Sequence, residues 1–272
     1  ASPAAIEGAP SPAVEIARVT FPDRVRTEAG DEVPVAGLCG VAWLGGDRYV
    51  AAPREGDQLI VFRMPLDDRG KPQAVVQPRA MSGGGFAQRT DVAFDVGQQR
   101  LIVVDDSPPS MQAIPIGKAD GVRSLGVPPA QGAARAGKGL AAVTCDPSTS
   151  SLWLSNREAL LPDGLPAIGK LGTDVRLTEV VADGDPHSAG AATIAAREVR
   201  YHVDAAHDGR RFSPGASSSG VTGVAAVGDG RLLVLEASRV PTLPRFRNRL
   251  FVVDPRQAAD GEAVGSAAGK GN

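Results

Sequence analysis

The chain has 272 residues, with 29 Lys+Arg against 31 Asp+Glu and a formal net charge of -2. No basic block stands out, which argues against a partner held through nucleic-acid phosphates. No apolar run nears the roughly 18 residues that a membrane-spanning helix needs. With 33 Gly, 22 Pro and only 4% aromatics, the composition predicts many short strands packed through small and branched aliphatics, in a chain long enough for a full core.

Residues 1–12 are Ala/Pro-rich and read as a loose lead-in. A start rich in small residues and without Met reads as a mature N-terminus left after signal-peptide removal, which predicts a secreted or periplasmic protein. Residues 13–21 alternate well enough for one strand. Only Cys39 and Cys145 are available for a bridge; the sequence leaves open whether they form one or stay free thiols.

A repeat then begins. Gly37–Leu44, a Gly-Gly-Asp turn and Arg48–Ala52 form a hairpin that reaches Arg54 and Glu55. Gln58–Met64 and Gln73–Gln77 follow as third and fourth strands. About 50 residues later the pattern returns. Asp91–Phe94, a turn and the run Leu101–Val104 lead to Asp105 and Asp106, with Met111–Ile116 and Val122–Val127 behind them. The third copy is Gly139–Cys145, a turn, and Leu152–Ser155 ending at Asn156, Arg157 and Glu158, followed by Ala167–Leu171 and Val175–Val181. Residues 183–219 carry a small-residue tract, Ala189–Ala196, and a strand-like Val199–Val203. The clearest copy comes last: Val221–Val227, a Gly-Asp-Gly turn and Leu232–Leu235 ending on Glu236, with Arg249–Val253 as third strand. Leu232–Leu235 is apolar without alternation, so both its faces are expected to be buried. The Gly/Ala-rich segment 257–272 reads as a flexible tail behind one domain spanning 13–256.

A period of 45–50 residues with four short strands per copy is the signature of a β-propeller blade. A β-sandwich would also give short strands and regular turns, but not the recurring order of Gly-rich start, strand, polar turn, aliphatic strand and acid. In a propeller the loop before each first strand and the loop after each second strand share one mouth of the channel. Glu55, Asp91, Asp105, Asp106, Glu158 and Glu236 are therefore expected to ring that mouth, joined by Arg54, Arg89, Asn156, Arg157 and Arg239. Such a ring of hard oxygens predicts a calcium site, and its cations predict a small anionic ester or phosphate as ligand. The G-L-C-G-V segment around Cys39 lacks the serine of a nucleophile elbow. His187, His202 and His207 show no metal-ligand spacing, and no zinc-hydrolase, P-loop or dinucleotide motif is present.

The same segments resemble a known family. Gly37–Ala42 (G-L-C-G-V-A), Gly137–Val143 (G-K-G-L-A-A-V) and, above all, Gly220–Glu236 (G-V-T-G-V-A-A-V-G-D-G-R-L-L-V-L-E) are similar, in this order, to motifs of the phytase-like domain described as having esterase-like activity of phytase. The resemblance runs from about residue 36 to 254. It implies an exported bacterial propeller of six blades, with five or an incomplete ring as alternatives, and hydrolysis of phosphate or carboxylic esters. Three functions follow as expectations: a calcium-assisted ester hydrolase, a non-catalytic ligand- or protein-binding propeller of the cell envelope, and a calcium-dependent lactonase using Glu55, Asn156 and Asp105 or Asp106. The binding alternative draws on the lack of a nucleophile–base pair and on departures from the family pattern: the Glu of its G-x-E-G-L-A segment is Leu140 or Ala141 here, its second-repeat acid-Gly pair is Asp91-Val92, the Arg after its last acid is Ala237, and its final N-x-E-G-L-A repeat is missing after Asp254.

Overall fold

Strands built from Val, Ile, Leu and small residues, cut by Gly- and Asp-containing turns, fill the computed structural model. It describes residues 17–86, 88–116, 121–183, 192–207, 216–257 and 263–265. Among these there is no α-helix. Four sheets set in a ring form a four-bladed β-propeller.

The first blade holds β1 (Arg24–Thr27), β2 (Glu32–Pro34), β3 (Leu38–Gly45), β4 (Arg48–Pro53), β5 (Gly56–Arg63) and β6 (Val76–Phe86), in the order β2-β1-β6-β5-β4-β3. The second holds β7 (Arg89–Asp95), β8 (Arg100–Asp106), β9 (Pro109–Pro115) and β10 (Arg123–Leu125). The third holds β11 (Leu140–Cys145), β12 (Leu152–Asn156), β13 (Thr173–Asp183) and β14 (Ala192–Val203), with β18 (Ala263–Gly265) on its outer edge. The fourth is β15 (Ser218–Ala226), β16 (Leu232–Arg239) and β17 (Phe246–Val253). The predicted inner hairpins are thus the inner halves of the four blades.

Six blades are not formed, and the reason is where the remaining strands go. Residues 173–203, outside the legible repeat, make the long β13–β14 hairpin of the third blade. β1 and β18 pair parallel to β6 and β14, so segments near both ends of the chain extend existing sheets. Residues 17–22 are not in a strand; the rest of the predicted 13–21 strand, the 1–12 lead-in, His187 and residues 266–272 lie outside the described residues.

The core sits between blades. Ala42, Val50, Ala52 and Leu59 of the first blade pack on Val92, Leu101, Val103 and Ile114 of the second. The alternate residues of the second, including Ala93, Ile102, Val104 and Met111, pack on Leu140, Val143, Leu152 and Leu154 of the third. Val175, Leu177 and Tyr201 of the third meet Val221, Leu232 and Val234 of the fourth. Period-two alternation thus serves two neighbours at once. This explains the continuous run Leu101–Val104, which is fully buried. The run Leu232–Leu235 differs from expectation. Leu232 and Val234 are buried, while Leu233 and Leu235 are half-exposed, because only one face of β16 is covered.

Leu101→Ala should cost about 2–5 kcal/mol by opening a cavity between the first two blades. Leu165→Ala, at an exposed position, should stay within about 0.5 kcal/mol. Denaturant midpoints of the two variants check this.

Candidate functional site

Each inner strand carries the same irregularity near its start. The ladder slips between Leu38 and Gly40, Arg89 and Asp91, Leu140 and Ala142, and Val221 and Gly223. Cys39, Thr90, Ala141 and Thr222 are the extra residues of four β-bulges, which re-aim side chains out of the ladder. All four line one cavity of about 150 Å3 where the inner strands come together. Glycines permit that approach: a Cβ on Gly40 would lie 2.4 Å from Asp91 Oδ1, and one on Gly220 would lie 2.4 Å from the Arg157 carbonyl oxygen.

The charged wall of the cavity comes from the loops at the same end. Arg54 follows β4, Asp106 ends β8, Lys138 precedes β11 and Arg157 follows β12. Three cations therefore face one acid. The Arg54 guanidinium donates to Asp106 Oδ2 at 3.3 Å and to Gln88 Oε1 at 3.2 Å. Lys138 Nζ lies 3.4 Å from Glu158 Oε1. Arg157 is exposed and makes no ion pair among the described residues, while its backbone carbonyl accepts from Val221 N at 3.1 Å. Asp106 Oδ1 is buried and has no hydrogen-bond partner among the described residues.

The other predicted residues are placed differently. Asp91 is buried between blades, its carboxylate accepting from Val92 N at 2.8 Å and from Val143 N of the next blade at 3.0 Å. Asp105 accepts from Gln88 N and Ser107 N, both at 3.0 Å, and so ties two loops. Glu236 is fully buried, accepting from Tyr201 Oη at 2.7 Å with Arg249 Nη2 3.1 Å away. Arg89 is also fully buried and donates to the carbonyls of Gly56 and Gln58. Asn156 exchanges amide hydrogen bonds with Gln131. Glu55 and Arg239 are exposed and do not line the cavity. No three His, Cys, Asp or Glu side chains among the described residues form a group able to hold a metal. The acids are spent on backbone N–H groups and cations instead of converging, so the donor set does not fit the six to eight oxygens of a calcium sphere.

Nucleophiles in the cavity are not activated. The Cys39 thiol donates to the Ala52 carbonyl at 3.2 Å. Burial, and then the Asp91 charge, push it up to about 11, so little thiolate exists near neutrality. Thr90 Oγ1 donates to the Leu140 carbonyl at 2.8 Å. His202 is held by Asp174, and His207 by Ser238 and the Pro244 carbonyl. The two cysteines are free and belong to different inter-blade clusters.

Sequence reasoning missed Lys138, Thr90 and Thr222. Lys138 stands in the loop before a first strand, the position searched only for acids and arginines. The bulged threonines carry a detectable signal, since each occupies the place of Cys39 in its own repeat.

Burial holds the Asp91 carboxyl at about 7 against an ordinary 3.8, with the two N–H donors pulling the other way. The folded state therefore keeps a proton that the unfolded state has released. Asp91 makes stability fall as pH rises from 3.8 to about 7, with no further change above. Asp91→Asn should flatten that part of the stability-versus-pH curve, measured as the denaturant midpoint at each pH.

The geometry can be set beside known proteins. No curated protein matches the chain. Among solved structures it is similar to the Myceliophteria thermophila Cps50 (Swd1) β-propeller domain at 12% identity, covering 81% of this chain and 60% of that one with a TM-score of 0.38. Kluyveromyces lactis Hsv2 matches at 10% identity over 81% of this chain and 62% of that one, TM-score 0.36. Kuenenia stuttgartiensis hydrazine synthase matches at 12% over 79% and 49%, TM-score 0.33. The chain thus spans between half and two thirds of the length of these structures. The model of the Phytase-like family, described as "esterase-like activity of phytase", matches residues 34–271, nearly the whole chain, and to that family the chain belongs.

Proposed function

We propose that the bulge-lined mouth of this propeller binds a small anionic ligand, the phosphate or carboxylate group of an ester. The observation that carries the reading is the convergence of Arg54, Lys138 and Arg157 on a cavity whose lining includes one acid, Asp106. Guanidinium and ammonium groups make charge-assisted hydrogen bonds to such oxygens, and among the described residues Arg157 has no competing carboxylate. A cavity of about 150 Å3 is below the ~300–1,000 Å3 of drug-sized sites. It suits an anionic headgroup whose organic body stays at the rim.

Family membership favours hydrolysis as a second reading, and one observation here supports it. In this reading Asp106, a carboxylate that lines the cavity beside Arg54, holds a water beside a bound ester and accepts its proton. With no activated thiol, hydroxyl or histidine in the cavity, attack by water is the chemistry these residues favour over a covalent route. Export to the periplasm or beyond, as the family resemblance implies, and an envelope partner belong to the same proposal. Among the described residues no helix is long and apolar enough to cross a membrane.

Calorimetry with p-nitrophenyl phosphate and p-nitrophenyl acetate should detect binding of the phosphate ester. Arg54→Ala and Arg157→Ala should each weaken it by roughly tenfold, about 1.4 kcal/mol. Equal affinity of the double variant would sink the anion-binding reading. Release of p-nitrophenol that Asp106→Asn abolishes supports the hydrolase reading; binding without release removes it. Repeating the assay with added calcium and with chelator tests the calcium expectation separately.

A further inference from the structure

Among the described residues, two sheet faces have no neighbouring sheet packed on them. Each of the first three blades covers a trailing face with the leading face of the blade that follows, and the packed inner strands run β3 on β7, β7 on β11 and β11 on β15. Among the described residues β15 and β3 do not pack on each other in this way. The trailing face of the fourth blade carries the residues that alternate with buried Leu232, Val234 and Glu236. On β17, paired residue for residue with β16, these are Phe246, Leu250 and Val252, which are 63%, 60% and 51% exposed. The leading face of the first blade lies opposite Ala42, which packs on the second blade. It presents Val41 and Trp43, 62% and 61% exposed. Its outer part is covered by Phe21, whose ring meets Phe62 edge-on at 4.6 Å between centroids; its inner part is bare.

We propose that these faces join two copies of this chain, the trailing face of one fourth blade docking on the leading face of the other first blade. Continuity with the packing inside the chain selects this occupant. The two bare faces are the two halves of a contact that the molecule already makes three times, so a second copy brings the complementary half of each. Reciprocal docking buries both faces in a closed pair, the commonest symmetry of homo-oligomers. Contiguous apolar surface of this kind marks association in soluble proteins.

Sedimentation velocity on the 272-residue chain over a wide concentration range tests the proposal, with Leu250→Asp and Trp43→Asp as variants at exposed positions and circular dichroism as the check on folding. The wild type should associate as a dimer. Each variant alone should dissociate with a Kd about a hundredfold weaker or more. An equimolar mixture should regain association, weaker than wild type, because one intact trailing face then meets one intact leading face. That rescue distinguishes face-to-opposite-face docking from a contact between two identical patches. A wild type that stays monomeric, because its own end blades or another partner cover the faces, overturns the proposal. So does association that neither substitution weakens, or a mixture that stays dissociated.

Discussion

A sheet with two apolar faces needs two neighbours, and the packing of this propeller follows from that requirement. The second and third blades meet it fully, which is why β8 and β12 carry runs of consecutive buried residues. Their inner strands approach closely enough that glycine is required at the contact. At Gly139, as at Gly40 and Gly220, an added Cβ would collide with the backbone or side chain of an adjoining segment, there at 2.6 Å from the Asp106 carbonyl oxygen. The stabilisation lies between sheets more than within them, at about 25 cal/mol for each Å2 of apolar surface removed from water. The junctions, not the hairpins, are therefore where the fold is sensitive to substitution.

The mouth obeys a second constraint. Loops that return at a channel end carry backbone N–H groups with no ladder partner, and a buried N–H left unpaired costs more than a hydrogen bond contributes. Asp105 answers that need by accepting from Gln88 N and Ser107 N of two different loops, and Asp91 accepts from Val92 N of its own strand and Val143 N of the next blade. Once those acids are committed, the groups left facing the cavity are mostly cationic. The positive character of the site is a by-product of how the acids are spent.

The inner hairpins were legible because a continuous aliphatic run, a polar turn and a period near 50 residues are all local patterns. Blade number was not. β6 contains Ser82, Gly83, Gly84 and Gly85, and β14 opens on Ala192, Thr193, Ile194, Ala195 and Ala196, segments whose strand state comes from the neighbouring sheet and not from propensity. Edge strands such as β1 and β18 are shorter still and pair in parallel with partners distant in sequence. Of the mouth residues expected from topology, Arg54, Asp106 and Arg157 line the cavity. What each acid faces was not legible, because whether a carboxylate points to the cavity or to a backbone N–H depends on the bulges. A one-residue slip in register leaves only a faint trace in composition.

Arg89 shows what such a slip makes permanent. It stands beside the bulged Thr90, fully buried, with its guanidinium on the carbonyls of Gly56 and Gln58. Burial lowers its pKa, but a guanidinium starts so high that it keeps its charge at any physiological pH. Its charge reaches Cys39 at the cavity wall, pulling against the burial and the Asp91 charge that together hold that thiol high. Salt and water screen the exposed cations of the rim far more than a dry charge of this kind. If the mouth binds an anion as proposed, its exposed cations and this buried one would answer differently to salt: ions in solution compete for the first and reach the second far less.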